Sequence, residues 1–306
     1  MIRRIFCLFL VGSLLIGSVI GAATQEELKI EGSTTVLPIA GRAAELFQLI
    51  HPEIAVIVKG GGSSVGIAAL INGTTDIANA SRPMKQKEWD QAAAAGVNPV
   101  EHAIAKDGIA IVVHPSNTVE SLTFEQIAEI YTDSKARNWK DFGGPDLPIV
   151  VVSRDTTSGT YGSFLDMVIK KVKGKGARLR PDVIYASSNA EMVATVEGAE
   201  GAIGYIGVGY IKPTVKVLPV SPEGVTYVKA SVATVLDDSY PISRSLYMYT
   251  DGVPTQEEPR GLFLDFIYSR TGQAIVIEQG YVPLYDIEKA TCELLFKAVG
   301  TEFIEK

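Results

Sequence analysis

Residues 149–164 read IVVVSRDTTSGTYGSF. An apolar run, Ile149–Val152, enters a hydroxyl-rich turn loosened by glycine, Ser153–Thr160, and continues as Tyr161–Lys171 with the 3.6-residue apolar spacing of a helix. Strand, turn and helix in that order form the repeating unit of an α/β protein. The unit occurs twice more. Leu28-Lys29-Ile30 leads through Glu31-Gly32-Ser33-Thr34-Thr35 into Ile39–Ile50, and Ala55–Val58 leads through Gly60-Gly61-Gly62-Ser63-Ser64 into Val65–Ile71. Each turn brings free backbone N–H groups, hydroxyls and the positive end of a helix dipole to one point, which suits an oxyanion. Ser and Thr are also ordinary N-caps, so one such turn identifies nothing. Three together point to a shared anion site.

Between the second and third turns, Asp107–Val113 (DGIAIVV) reads as a strand that carries the chain from one lobe to another, and Pro241–Tyr249 (PISRSLYMY) reads as the return strand. A chain of 306 residues has room for two domains at roughly 150 residues each. The expected lobes are therefore discontinuous, with 24–108 and 239–306 in one and 109–238 in the other. No Pro-rich or Gly/Ser-rich linker separates them, so they should sit close and share a cleft. The one basic run, Lys170–Arg180 (KKVKGKGARLR), is expected to be a solvated helix end and loop.

Hydrophobic residues make up 46% and charged residues 21% of the chain, a balance that excludes intrinsic disorder. Net charge is −7; residues 1–23 contain Arg3 and Arg4 and no acid, which leaves −9 on the remainder. A general nucleic-acid binder is excluded on that ground, and any bound anion must be held by local donors against the overall field. Met1–Ala23 has the build of a secretory signal peptide: a basic start, an apolar stretch from Ile5 to Ile20, and Gly21-Ala22-Ala23 before the expected cleavage. The mature chain is then extracytoplasmic, in the periplasm or at the cell surface; the alternative is an uncleaved leader acting as a membrane tether. Cys7 lies in the leader and Cys292 alone remains, so the mature chain can form neither an internal disulfide nor a Cys-based zinc site.

The segments GSTTVLPIA (32–40), GGGSSVGI (60–67), DIANASRPM (76–84), KDGIAIVVHPSN (106–117), LTFEQIAEIYTDSKARNW (122–139), SRDTTSGTYGSF (153–164), GAIGYIG (201–207) and GQAIVIEQGYVPL (272–284) resemble the phosphate-binding protein of bacterial and archaeal phosphate ABC transporters, in that family's order. The resemblance implies an α/β, two-lobed periplasmic-binding-protein fold of type II-like build, its lobes joined by two crossover strands. It implies a binding protein with no catalytic step, working as a monomer with inorganic phosphate and the membrane permease components as partners, and without cofactor or metal. Carried over by position, it places phosphate donors at Ser33, Thr34, Ser63, Arg154, Ser158, Gly159 and Thr160. Arg154 is the sharpest of these, because a planar guanidinium gives two parallel charge-assisted bonds to an oxyanion. One position departs from the pattern. Many members carry Asp where this chain has Arg82, and that Asp accepts the hydrogen bond from protonated phosphate. Arg82 is therefore expected as an additional donor, and Asp107, with Asp155 second, as the substitute acceptor.

Two other readings compete. The same turns suit sulfate, molybdate or tungstate on the same fold. Gly62-Ser63-Ser64-Val65-Gly66 also fits the G-x-S-x-G elbow of a serine hydrolase with Ser64 as nucleophile. That chemistry needs a His base, and His51, His102 and His114 all lie outside the downstream position where the hydrolase fold places it. A P-loop is excluded, since no Lys follows the glycines of GGGSS.

Overall fold

The structure is a computed structural model that describes residues 25–133, 135–285 and 287. The expected signal peptide (1–23), Cys292 and the C-terminal end of the expected first lobe lie outside the described residues.

The chain opens with three strand–helix units: β1 (Glu26–Gly32) and α1 (Leu37–Ile50), β2 (Ile54–Gly60) and α2 (Ser63–Ile71), β3 (Ile77–Ala80) and α3 (Gln86–Ala94). The long strand β4 (Pro99–Val113) then leads away from them. Beyond it come β5 (Leu122–Thr123), α4 (Phe124–Thr132), β6 (Val150–Arg154) and α5 (Gly159–Phe164), which passes through one π turn (Leu165–Ile169) into α6 (Lys170–Lys173). There follow β7 (Ile184–Ala186), α7 (Asn189–Glu197), β8 (Ala202–Gly207), β9 (Lys216–Leu218), β10 (Val220–Ser221) and α8 (Val232–Leu236). β11 (Ser243–Asp251) brings the chain back, and α9 (Pro259–Tyr268) and α10 (Arg270–Glu278) complete the described elements.

The strands run β2-β1-β3-β11-β4-β8-β6-β7, with β9 also on β4. β1 is parallel to β2 and β3, and β6 is parallel to β7 and β8, as strands joined through helices must be. β11 is antiparallel to both of its neighbours, β3 and β4. β4 serves two lobes in succession. From Pro99 to Gly108 it pairs with β11, and from Ile109 to Val113 with β8. The two crossover strands are thus paired with each other up to the point where the partner changes. Residues 107–113 are buried throughout, and Ile109–Val113 among them read as a continuous apolar run. Residues 99–106 mix buried Pro99, Ile104 and Ala105 with half-buried positions and exposed Glu101, so the strand begins eight residues before the segment that the sequence marks.

Within each lobe, buried aromatic and glycine contacts hold the helices on the sheet. Phe164 stacks on Tyr205 at 4.1 Å between ring centroids, and Tyr131 packs edge-on to Phe164 at 4.8 Å, fixing α4 and α5 on the second lobe's part of the sheet. In the first lobe, α2 sits directly on β1 because Gly66 has no side chain: a Cβ there would lie 2.4 Å from the Glu31 carbonyl oxygen and 2.7 Å from Gly32 Cα. Gly41 in α1 has open space around its Cβ position. The two glycines predict opposite responses. Gly66→Ala is expected to cost about 1–3 kcal/mol through overpacking against rigid backbone, and Gly41→Ala to add roughly 0.5–1 kcal/mol of helix stability. Urea titration monitored by circular dichroism checks both; equal effects of the two substitutions would contradict the packing described.

Candidate functional site

The three turns identified above converge where the lobes close. In the first two, the hydroxyls are not used as helix caps. α1 has Val36 at its N-cap and α2 has Gly62, neither with a side-chain cap bond. Ser33, Thr34 and Ser63 are nonetheless at most 8% exposed, so their polar groups are buried for another purpose. In the third turn Ser158 does cap α5, accepting from the Tyr161 N–H at 3.2 Å. Helix geometry leaves the N–H groups of Gly159 and Thr160 without intrahelical acceptors.

Contacts cross directly between lobes. Thr35 Oγ1 lies 3.0 Å from Thr160 Oγ1, the Ser64 N–H donates to the Thr157 carbonyl at 3.0 Å, and Arg154 Nη2 donates to Thr34 Oγ1 at 3.2 Å. Gly159 comes so near the second turn that a Cβ on it would lie 2.2 Å from Ser63 Oγ and 2.5 Å from Ser81 Oγ. This is a closed arrangement.

Arg154 is the last residue of β6, and its side chain runs into the closed space at 1% exposure. Nε donates to the Ala186 carbonyl at 3.0 Å and Nη2 to the Ser187 carbonyl at 2.8 Å, while Nη1 is buried without a partner. The other buried guanidinia among the described residues each have a carboxylate: Glu88 for Arg82, Asp182 for Arg180, Asp107 for Arg244. Among the described residues Arg154 has carbonyl and hydroxyl oxygens but no carboxylate in ion-pair range. Burial accordingly pulls its pKa below the ordinary arginine value. A buried cation in that state is stabilised by an anion.

Asp107 is fully buried at the point where β4 changes partner. Its Oδ1 accepts from the Val208 N–H at 3.0 Å, and its Oδ2 accepts from Arg244 Nε and Nη2 at 3.0 and 2.8 Å. Burial pushes its carboxyl pKa up, against Arg244 and the Val208 N–H, which favour the charged form. Asp155 instead organises the third turn: its Oδ1 accepts from the Thr157 N–H at 2.7 Å and from the Thr157 hydroxyl.

Arg82 departs from expectation. Nη1 and Nη2 both donate to the Glu88 carboxylate, at 2.7 and 2.6 Å, and Nη2 also donates to Ser64 Oγ at 2.9 Å. Its charge is neutralised inside the first lobe, and its stem lies against the second, 3.2 Å from where a Gly162 Cβ would be. Its Nε is buried without a partner among the described residues. Arg180 also corrects the reading of the basic run: it is 4% exposed, bound to Asp182 and to the Ala136 carbonyl at 2.8 Å, and it holds the Asp182 carboxyl down at about 2. Lys170 and Lys173 in that run are partly exposed and pair with Asp166 and Glu125.

Four residues join the site that the sequence did not single out. Thr35 stands inside the first turn. Asn189 Nδ2 donates to Thr35 Oγ1 at 3.0 Å from the start of α7, a fourth hydroxyl-rich helix start (Ser187-Ser188-Asn189). Ser81 donates its N–H to Ser63 Oγ at 3.0 Å, and Arg244 Nη2 donates to Thr160 Oγ1 at 3.0 Å. Ser64 gives no support to nucleophilic chemistry. Its oxygen accepts from a guanidinium, and the three histidines are bonded elsewhere, to Glu53, Thr250 and Ser116.

A two-lobed sheet with this strand order and an anion cradle between its lobes defines an interlobe binding protein, and a model of the PBP superfamily domain matches residues 17–271. Phosphate-binding protein PstS of Borreliella burgdorferi is 32% identical over 92% of this chain and 98% of its own, and that of Bacillus subtilis is 32% identical over 85% and 82%. A Clostridium perfringens protein assigned as a phosphate ABC transporter substrate-binding protein, solved with bound phosphate, superimposes with a TM-score of 0.74 at 35% identity, covering 85% of this chain and all of that one. An ABC-type phosphate transport receptor of Vibrio cholerae gives 0.66 at 31% identity, covering 83% of this chain and 99% of its own. The chain belongs to the phosphate-binding protein family of the PBP superfamily.

The closed geometry makes Gly159 a steric test. Gly159→Ala sets a methyl group against two hydroxyl oxygens of the opposite lobe and should hold the lobes apart. Small-angle scattering with saturating phosphate is expected to give a larger radius of gyration than wild type; an identical radius would contradict the contact.

Proposed function

We propose that this chain captures inorganic phosphate in its interlobe cleft and delivers it to the membrane permease components of an ABC transporter. It binds and releases its ligand with no chemical step, as a monomer, outside the cytoplasm after removal of residues 1–23. The lobes comprise 24–108 with 239–306, and 109–238. The observation that carries this reading is Arg154, a buried guanidinium with one free Nη1 and no carboxylate, among hydroxyls brought by three turns.

In this account Ser33, Thr34, Ser63, Ser158, Gly159 and Thr160 donate to phosphate oxygens, Arg154 gives charge-assisted bonds, and the lobes close because the anion bridges both. Asp107 supplies selectivity. A phosphate dianion retains one proton, which needs an acceptor, and Oδ1 of Asp107 has a lone pair beyond the one used by Val208. Sulfate has no such proton and meets a repulsive carboxylate instead. That separates the proposal from a receptor for sulfate, molybdate or tungstate.

Calorimetry of the mature protein against phosphate, sulfate and molybdate tests it directly: heat of binding with phosphate alone is expected, and a tighter response to either other anion would overturn the assignment. Arg154→Ala should weaken phosphate binding at least tenfold, about 1.4 kcal/mol, whereas Lys173→Ala, on the surface against Glu125, should leave it unchanged. Equal losses would indicate diffuse electrostatics. Asp107→Asn should lose phosphate affinity and gain sulfate affinity in competition titrations; continued exclusion of sulfate would remove Asp107 from the discriminating role.

A further inference from the structure

Arg244 belongs to the return strand β11, close to where the paired crossover strands end, and its side chain is only 5% exposed. Three of its hydrogen-bonding directions are used: Nε and Nη2 to Asp107 Oδ2, and Nη2 also to Thr160 Oγ1. Nη1 is buried and has no partner. The bonded groups come from different parts of the cleft, since Asp107 is on the outgoing crossover strand and Thr160 is on the donor turn of the second lobe. Thr160 in turn contacts Thr35 of the first lobe at 3.0 Å. Arg244 is also near enough to Arg154 that its charge adds to the burial holding Arg154 below the ordinary arginine pKa. Arg244 also lines a cavity of about 450 Å³ with Arg82, Lys85 and Tyr247.

A guanidinium serving only as counter-ion to Asp107 needs no contact with a donor turn and no free N–H beside a second guanidinium. We propose that Arg244 is a second anion-contacting arginine, oriented by Asp107, whose Nη1 donates to the bound phosphate. This rests on the phosphate reading of the same site and adds a residue to it. Arg154, Arg244 and Asp107 together present one net positive charge, with the two free N–H groups supplied by different segments, β6 and β11. Because Asp107 and Arg244 sit on the crossover strands themselves, the anion is tied to the hinge as well as to the two lobes, and release of Thr160 on opening removes one of the bonds that hold Arg244 in place.

Removing Arg244 alone strands the buried Asp107 carboxylate, so its contribution is best measured where that carboxylate is already neutral. Phosphate titrations of Asp107→Asn and of the double variant Asp107→Asn/Arg244→Gln, with folding checked by circular dichroism, should differ by about tenfold or more, the double variant being weaker. Affinities within twofold of each other would reduce Arg244 to a counter-ion and overturn the proposal. Should the double variant fail to fold, Arg244→Lys answers the same question. An ammonium keeps the charge but lacks the planar fork that spans Asp107, Thr160 and the anion, so a loss of about fivefold or more is expected, and unaltered affinity overturns the proposal. Wild-type protein titrated alongside separates the two layers. Without phosphate binding by wild type the reading of the site falls, and this proposal with it; binding by wild type that survives loss of Arg244 overturns only the proposal.

Discussion

The buried charge of Arg154 is the constraint around which the cleft is built. A guanidinium at 1% exposure must be compensated, and the described residues supply carbonyl oxygens of Ala186 and Ser187 and the Thr34 hydroxyl, but no carboxylate in ion-pair range. The position is held firmly: the Arg154 N–H donates to the Tyr205 hydroxyl at 3.0 Å, and Tyr205 is stacked on Phe164 in the second lobe. The charge therefore stays in place whatever the lobes do. An anion supplies the missing partner, and because Thr34 belongs to the opposite lobe, the same event draws the lobes together. Binding and closure are in this sense one interaction.

The neighbouring charges show how the field is confined to the cleft. Arg82 and Arg180 are buried like Arg154 but matched to Glu88 and Asp182, so they contribute structure and little net field. Glu88 has a second task, accepting the Lys85 N–H at 2.8 Å at the start of α3, which fixes the segment after Ser81 and with it the Ser81–Ser63 contact. On a chain that carries a net charge of −7, such neutralisation leaves the unmatched guanidinium as the local attraction for an anion.

Much of this was legible in the sequence, for identifiable reasons. The donor turns are local features, each a contiguous run of hydroxyls and glycines between a strand and a helix, and the apolar run at 107–113 marks a strand buried on both faces. Features that depend on distant pairing were not legible. Arg82 lies in a segment that matches the family closely, yet its partner Glu88 is also a helix-capping residue, and nothing in the spacing separates a ligand from an ion pair. Arg244 and Asn189 reach the site from β11 and α7, through strand pairing that only the folded sheet defines. Arg154 was read as a turn residue and is the end of a strand, because β6 continues two residues past its apolar run to pair with Tyr185 and Ala186.

The central claim, that the unmatched charge of Arg154 is what the anion satisfies, is tested most directly by calorimetric melting of wild type and Arg154→Met with and without phosphate. A ligand that binds only the native state at about a hundred times its Kd adds roughly 2.7 kcal/mol of stability. Phosphate is predicted to raise the melting temperature of wild type and to raise that of Arg154→Met clearly less, since a Kd ten times higher cuts the added stability to about 1.4 kcal/mol. An equal rise in both proteins would contradict the account.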